Sequence, residues 1–250
     1  MQNQEQVLQV KLLMKELNLN NISEYGFDLS EKEGMSYLDY IEYILSEEKR
    51  LRIIKRNERR LRTGNVPIKE YDPYVEGINR IALDRILTLE FVGRRSNIII
   101  YGQCQTGKTS LASELARKVI NQNANVYYIN VCDLIRMLQN RDLTANKRKL
   151  DYMATSEMLI IDEFLYTALE RDELTAIFRF LSTINEFVSI VLITNRYFDE
   201  WIDLSDDELL MQSLIERITS DCEVFKTQQL ENVFIPPRKL GTRGKRTKKK

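Results

Sequence analysis

The chain has 250 residues, in which 37 lysines and arginines balance 37 aspartates and glutamates, and it contains no histidine. The absence of histidine excludes acid–base catalysis by imidazole, Ser-His triads and zinc sites built on imidazole. No apolar run reaches the roughly 18 residues that a membrane span needs, and no charged-then-apolar leader is apparent. The three cysteines are scattered without a C-x-x-C, so we expect a cytoplasmic protein with free thiols.

Residues 1–66 are predicted to form a separate domain made of helices. A first helix is indicated by apolar residues at the i, i+3, i+4, i+7 spacing of one helix face. The polar segment NLNNIS and Gly26 interrupt it. The residues of the apolar stripe are Val10, Leu13, Met14 and Leu17.

A second, much longer helix is predicted between Ser36 and Gly64. Ser36 stands three residues before Asp39, which is the pattern of a capping box. Gly64, followed by Pro67, is expected to occupy the C′ position after the helix. At 1.5 Å per residue this helix would be about 40 Å long, enough to project beyond a small domain.

The second half of the long helix is strongly basic. A solvated helix face usually mixes both signs of charge to gain i, i+4 pairs, and within this half only Glu58 opposes the basic residues. The pattern favours a surface for nucleic acid or an acidic partner, and an ordinary polar face is the alternative. The basic residues are Lys49, Arg50, Arg52, Lys55, Arg56, Arg59, Arg60 and Arg62.

From residue 67 to about residue 235 the pattern alternates between strands and helices. Such alternation predicts an α/β domain with a parallel sheet between layers of helices, whose ligands bind at the carboxyl ends of the strands. The predicted strands are Asn97–Tyr101, Asn125–Asn130, Met158–Asp162, Val188–Thr194 and, more weakly, Glu223–Phe225. Residues 236–250 form a basic tail, which we expect to be disordered or to bind nucleic acid nonspecifically.

The segment YGQCQTGKTSLASEL, residues 101–115, contains the phosphate-loop pattern G-x-x-x-x-G-K-[ST]. Glycines at both ends let backbone amides approach a polyphosphate, Lys108 gives a positive charge to its β- and γ-phosphates, and Thr109 gives a hydroxyl to Mg²⁺. A plain glycine turn is the weaker alternative, because a buried-strand run precedes the segment and a helical pattern follows it. The predicted nucleotide contacts are Gly102, Gln103, Cys104, Gln105, Thr106, Gly107, Lys108, Thr109 and Ser110.

Three further positions are typical of nucleotide hydrolysis. In EMLIIDEF, the strand delivers Asp162, which is placed to hold the Mg²⁺ hydration shell, and Glu163, the candidate base for the attacking water. Asn195, at the end of VSIVLITN, is predicted to reach between the γ-phosphate and that water; a capping asparagine is the alternative. Arg217, in ELLMQSLIERI, is the candidate arginine finger for a neighbouring subunit, and a solvated or ion-paired arginine is the alternative.

The order of these motifs resembles that of AAA+ ATPases, and specifically the IstB/DnaC-like branch. The resemblance covers roughly residues 8–235 and includes EEKRLRIIKRNERRLR, VPIKEYDPYVEGINR, IDEFLY, TNRYFDEW and LIERI. It implies a P-loop NTPase core with ATP and Mg²⁺ as cofactors. It also implies a helper ATPase for DNA transposition that forms homo-oligomers on double-stranded DNA, deforms it and presents it to a partner transposase.

The resemblance adds a second basic region and some departures. It implies that the part of the fold between the second and third strands faces DNA, with a solvated connector as the alternative. Cys104 and two glutamines replace the small residues usual in the loop, and too few residues follow Arg217 for a complete C-terminal lid. The basic residues concerned are Arg136, Arg141, Lys147, Arg148 and Lys149.

Two other functions remain open at this point. A replicative helicase loader of the DnaC type shares the ATPase core, although residues 1–100 contain no cysteine or histidine for the zinc module of some loaders. A non-catalytic, ATP-dependent DNA scaffold is the other alternative, which the intact Lys108, Asp162 and Glu163 disfavour.

Overall fold

The computed structural model describes residues 2–25, 36–72, 78–197 and 200–227. The predicted break at Gly26 and the basic tail at 236–250 lie outside these residues. Within the described residues, no helix is long and apolar enough to cross a membrane.

Three helices form the N-terminal region: α1 (Gln2–Glu16), α2 (Asn20–Tyr25) and α3 (Tyr37–Thr63). The predicted capping box at the start of α3 is confirmed. The Ser36 hydroxyl accepts a hydrogen bond from the Asp39 amide at 3.3 Å, and the Asp39 carboxylate accepts one from the Ser36 amide at 3.1 Å.

Only one residue of the apolar stripe on α1 is buried. Met14 is 7% exposed, whereas Val10, Leu13 and Leu17 are 39%, 56% and 69% exposed. Asn18 takes a left-handed conformation, with φ of 59°, and ends the helix. The spacing therefore predicts the helix correctly, but it does not predict which residues of the stripe find a packing partner.

A buried carboxylate joins α2 to α3. Glu48 of α3 accepts hydrogen bonds from the Asn21 side chain (2.9 Å), the Ile22 amide (2.9 Å) and Arg52 Nε (2.7 Å). Burial opposes its ionisation, but these hydrogen bonds outweigh burial and lower the pKa of Glu48. Arg52 also donates to the carbonyl of Asn18 at 2.5 Å. Arg52, counted above among the basic surface residues, therefore has a structural role in this joint.

The end of α3 packs against the α/β domain instead of projecting from it. Arg60 donates to the Asn123 side chain at 2.7 Å, and the Gly64 carbonyl accepts from the Tyr128 amide at 2.7 Å. The prediction that Gly64 occupies C′ is wrong, because Gly64 is the C-cap with φ of −78° and the next residue, Asn65, takes the left-handed conformation with φ of 52°. Glycine is needed at 64 for space, since a Cβ there would clash with the carbonyl oxygen of Val126.

The α/β domain has a five-stranded, entirely parallel sheet in the order β2-β3-β4-β1-β5. This confirms the predicted fold class, and each predicted strand is present to within one or two residues at either end. Among the described residues, no helix follows the last strand. The strands are β1 (Asn97–Tyr101), β2 (Val126–Asn130), β3 (Met158–Asp162), β4 (Ser189–Thr194) and β5 (Cys222–Lys226).

Helices cover both faces of this sheet. A 3-10 turn (Ile202–Leu204) precedes the last helix. The helices are α4 (Arg80–Leu87), α5 (Glu90–Arg94), α6 (Lys108–Asn121), α7 (Val131–Gln139), α8 (Thr144–Ala154), α9 (Arg171–Ile184) and α10 (Glu208–Thr219).

Residues of one strand alternate between two cores. Ile98 and Ile100 of β1 pack in a core with α4 and α6, whereas Ile99 packs in a core with α7, α9 and α10. All three are fully buried, which explains why β1 has a continuous apolar run instead of an alternating pattern. Because β3, β4 and β1 are parallel neighbours, their carboxyl ends lie side by side at one edge of the sheet, where the polar motif residues follow them.

Candidate nucleotide site

The phosphate loop connects β1 to α6 with a backbone that needs its glycines. Gly102 has φ of 155° and Gly107 has φ of 81°, and Gln105 also has a positive φ of 65°. Gly107 is the N-cap of α6 and supplies no side chain to cap it. The first amides of α6 are therefore directed into the loop, where the positive end of the helix dipole favours an anion.

Lys108 lies within the loop and is bonded to it. Its ammonium donates to the carbonyl of Gly102 at 2.7 Å and to that of Gln103 at 2.6 Å. Burial lowers the pKa of Lys108, while nearby Cys104 and Asp162 oppose this effect. A phosphate would therefore compete with two loop carbonyls for this ammonium group.

Thr109 and Asp162 meet, as the two motifs predict. The Thr109 hydroxyl donates to Asp162 Oδ2 at 3.1 Å, and Asp162 Oδ1 accepts from the Glu163 amide at 2.7 Å. Tyr128 of β2 also donates its hydroxyl to Asp162. Burial first, and then the hydrogen bond to Asp162, raise the pKa of Tyr128, so this phenol stays protonated as a donor. Tyr128 lies outside the sequence motifs.

Glu163 is held by a second residue outside the motifs, Asn130. The Asn130 side-chain amide donates to Glu163 Oε2, and Asn130 Oδ1 accepts from the Cys132 amide at 2.8 Å as the N-cap of α7. Glu163 itself has a left-handed backbone with φ of 56° and an exposed side chain. Tyr128 and Asn130 stand two positions apart at the end of β2, so an i, i+2 polar pair was the signal available in the sequence.

Asn195 follows β4 at the same edge of the sheet. Its side-chain oxygen is buried and finds no hydrogen-bond partner among the described residues. The preceding residue, Thr194, accepts from the Gly102 amide at 3.3 Å, so the end of β4 touches the start of the loop. A buried acceptor without a donor is unfavourable by itself, and a water molecule or protonated group bound beside the loop would satisfy it.

Arg217 lies at the opposite edge of the sheet from the loop. The next residue, Ile218, accepts through its carbonyl from the Asn97 side chain at 2.9 Å, and Asn97 begins β1. The loop follows the other end of β1, about 15 Å away at roughly 3.3 Å per residue. Arg217 donates to the Ser182 carbonyl at 3.1 Å and lies 3.8 Å from Glu186. It is therefore not brought together with the loop of its own chain.

The candidate DNA-binding residues of α3 differ in exposure and in whether their charged groups are bound to other residues of the chain. Arg50 pairs with Glu47 at 2.8 Å, and Arg52 pairs with the buried Glu48. Arg60 is bonded to Asn123, which lies beyond the end of α6 far from the loop. Lys49, Arg59 and Arg62 are exposed, whereas Lys55 and Arg56 are partly buried.

The candidates around α8 are mostly exposed. Arg136 pairs with Asp133 at 3.1 Å and remains 74% exposed. The other four residues lie before or within α8, at Arg141, Lys147, Arg148 and Lys149, and all are exposed.

The chain is similar over most of its length to putative ATP-binding proteins of insertion sequences. The chain is 27% identical over 219 residues to the insertion sequence IS21 putative ATP-binding protein of Pseudomonas aeruginosa, covering 84% of this chain and 83% of the relative. It is 24% identical over 222 residues to an IS21-like putative ATP-binding protein of Bacteroides fragilis, covering 85% and 84%.

Solved structures share the fold. The crystal structure of DnaI aligns with a TM-score of 0.53 at 19% identity, covering 67% of this chain and 93% of that one. Domain III of the Thermotoga maritima replication initiation protein DnaA aligns with a TM-score of 0.50 at 21% identity, covering 65% and 69%. The family described as IstB-like ATP binding protein matches residues 11–231, and the chain belongs to this family of ATP-binding AAA+ proteins.

Proposed function

We propose that this chain is a Mg²⁺-dependent ATPase that oligomerises on duplex DNA and delivers or remodels that DNA for a partner transposase. The observation that carries the proposal is the contact of Thr109 with Asp162 at 3.1 Å, with Glu163 held beside it by Asn130. These are the groups that hydrolysis needs in addition to binding. The names of the relatives, which are ATP-binding proteins of insertion sequences, support the transposition context.

The residues at the loop fit a magnesium ion. Thr109 and Asp162 offer a hydroxyl and a carboxylate, which are hard oxygen donors of the kind that Mg²⁺ takes together with substrate phosphates. Thr109 and Asp162 would hold the ion, which would neutralise charge on the β- and γ-phosphates. Tyr128, by donating to Asp162, orients this carboxylate.

The remaining residues of the site have separate roles in the proposed reaction. Lys108 leaves its two loop carbonyls to bind the phosphates, and Glu163 orients the attacking water and accepts its proton. Asn195 has a buried acceptor oxygen without a partner among the described residues, and this oxygen accepts a hydrogen bond from the attacking water. Asn130 holds Glu163 in one orientation for this reaction.

The proposal requires a second subunit at each site. Arg217 lies at the far edge of the sheet from its own loop, so its guanidinium serves the site of a neighbouring copy. Such a cation stabilises the charge of the transition state, and it acts only when copies assemble. DNA that gathers copies should therefore raise turnover.

We assign DNA contact to the helical region 1–66 and to the α8 region of the ATPase domain, 67–235, with residues 236–250 as an additional basic anchor. The exposed cations that support this assignment lie on two surfaces. In the proposed complex they neutralise backbone phosphates of DNA and make no sequence-specific contacts to the bases. The partly engaged members, Arg50, Arg52, Arg60 and Arg136, contribute less.

ATP turnover with and without duplex DNA tests the proposal in three proteins. The native chain should be stimulated by DNA, Arg217→Ala should bind ATP but lose the stimulation, and Glu163→Gln should bind ATP with hydrolysis reduced by on the order of 10²-fold or more. Native turnover in Glu163→Gln would overturn the role of Glu163. Absence of both DNA binding and stimulation would overturn the DNA function.

The partner is tested separately by capture. If a transposase gene lies beside the gene for this chain, its product should be retained by the immobilised protein in the presence of ATP and DNA. Retention of a replicative helicase instead would favour the loader function.

A further inference from the structure

The phosphate loop rests on a residue from the far end of the described chain. Thr227 follows β5 directly, and its amide donates to the Tyr101 carbonyl at 2.9 Å, which extends the pairing of β5 with β1. Its side chain is 2% exposed and lies under the loop. A Cβ on Gly102 would collide with the Thr227 hydroxyl, so the first glycine of the loop also makes room for this residue.

Thr227 belongs to a short chain of hydroxyl groups. Its Oγ1 lies 2.6 Å from Thr106 Oγ1, and Thr106 Oγ1 lies 2.9 Å from the Gln103 carbonyl. A longer contact of 3.3 Å joins Thr227 Oγ1 to the Tyr101 carbonyl. The two threonine hydroxyls have one proton each, so only two of these three contacts can be hydrogen bonds.

The distances favour one arrangement of the protons. If Thr227 donates to Thr106 and Thr106 donates to Gln103, the two shorter contacts are both hydrogen bonds. The carbonyl left without a hydroxyl is that of Tyr101, which already accepts from the Thr227 amide. In this arrangement Thr106 Oγ1 accepts from the Thr227 hydroxyl, and the hydroxyl proton of Thr106 is directed to the Gln103 carbonyl in the loop.

The Gln103 carbonyl is also one of the two acceptors of Lys108, at 2.6 Å. When Lys108 moves to a phosphate, this carbonyl loses a charged donor and retains the Thr106 hydroxyl. We propose that Thr227 is a positioning residue of the phosphate loop, whose hydroxyl keeps Thr106 bonded to Gln103 while Lys108 transfers to ATP. The inference rests on the proposed use of this loop for ATP and deepens it.

Titration with a fluorescent ATP analogue tests the inference in the full-length chain. Thr227→Val keeps the branched shape that suits a strand end but removes the hydroxyl. We expect its Kd for the analogue to rise roughly two- to tenfold, the effect of one hydrogen bond. Thr227→Ser, which keeps a hydroxyl, should restore the native Kd to within about twofold.

A buried hydroxyl elsewhere provides the matched control. Ser189 is fully buried at the start of β4 and donates to the Phe91 carbonyl at 3.2 Å, at the other edge of the sheet. Ser189→Ala should leave the Kd unchanged, even if it lowers the melting temperature without nucleotide. If Ser189→Ala weakened binding as much as Thr227→Val, the effect would be general destabilisation and the inference would be overturned.

A double-variant cycle separates the hydroxyl chain from independent effects. Thr106→Val should weaken binding as Thr227→Val does, and the double variant should be no weaker than Thr106→Val alone. Thr106 is partly exposed, so its variant remains informative if Thr227→Val does not fold. Native affinity in either folded valine variant, or additive losses in the double variant, would overturn the inference. Failure of the native chain to bind the analogue would instead overturn the proposed function.

Discussion

Asn130 makes two hydrogen bonds through different atoms of one side chain. Its oxygen caps α7 by accepting from the Cys132 amide, and its nitrogen donates to Glu163. The first bond stabilises a helix, while the second fixes the group proposed to orient water. Since the two bonds use different atoms, they can be separated by substitution.

We predict that Asn130→Ser keeps the cap and loses the bond to Glu163, because serine also accepts at an N-cap but has no amide to donate. The kcat for ATP should fall by about tenfold, with the Kd for ATP unchanged. Steady-state hydrolysis and nucleotide titration measure the two quantities. A variant with native kcat would show that Glu163 is positioned without Asn130.

At the scale of elements, the joint between α2 and α3 depends on an ionised Glu48. Hydrogen bonds from Ile22, Arg52 and Asn21 outweigh the effect of burial and hold its pKa below the ordinary value of 4.5. A carboxyl group with a lowered pKa stabilises the folded state above its unfolded pKa, and this contribution disappears as the pH falls through the folded pKa.

We therefore predict that α2 separates from α3 as the pH falls through the folded pKa of Glu48, which lies below 4.5, and before the sheet unfolds. The hydrogen-exchange protection of the Ile22 amide should be high at pH 7 and should decrease in acid. Glu48→Gln should have low protection at both pH values. Protection of Ile22 in the native chain that stays at its pH 7 level throughout an acid titration, until the sheet itself unfolds, would contradict this role of Glu48.

The junction between α3 and the sheet gives a second prediction at this scale. Gly64→Ala should destabilise the protein by about 1–3 kcal/mol, because the added methyl group clashes with the Val126 carbonyl. Gly93, within α5, has no atom within 4 Å of an added Cβ, so Gly93→Ala should be neutral or stabilise by up to about 1 kcal/mol. Urea unfolding of both variants measures the difference, and equal values would contradict the close packing of Gly64.

At the scale of the whole molecule, the functional groups lie at separate places on the α/β domain. The loop, Asp162 and Glu163 lie at the carboxyl edge of the sheet, and Arg217 lies near the opposite edge. Arg60 meets Asn123 beyond the far end of α6. The proposed use of Arg217 at a neighbour's site would therefore bring opposite edges of two sheets together.

We predict that affinity for duplex DNA falls steeply with salt, with a slope of about −0.9 per neutralised phosphate in log affinity against log salt. Reversing the exposed charges of Lys49, Arg59 and Arg62 to glutamate should flatten the slope and leave ATP binding intact. These positions are preferable to Arg52 and Arg60, whose loss would also break contacts within the chain. An unchanged slope would remove α3 from the DNA surface.

Much of the fold and of the site follows from local chemistry in the sequence. The sequence predicts the bounds of β1 and β3 correctly, because each strand is a short apolar run buried on both faces. The loop is recognisable because glycine is favoured at the positive φ of Gly102 and Gly107, and Asp162 is recognisable because it ends a buried strand. These constraints act between neighbours along the chain, so a single sequence is enough to reveal them.

The tertiary structure alone decided which distant residues meet. Tyr128 and Asn130 reach Asp162 and Glu163 only because β2 pairs with β3, and Thr227 reaches the loop only because β5 pairs with β1. Strand order is set by how the helices pack on the two faces of the sheet, and no pattern within one segment encodes it. A polar residue at a strand end therefore has the same local sequence signal whether it faces solvent or supports the site, and its role depends on the strand beside it.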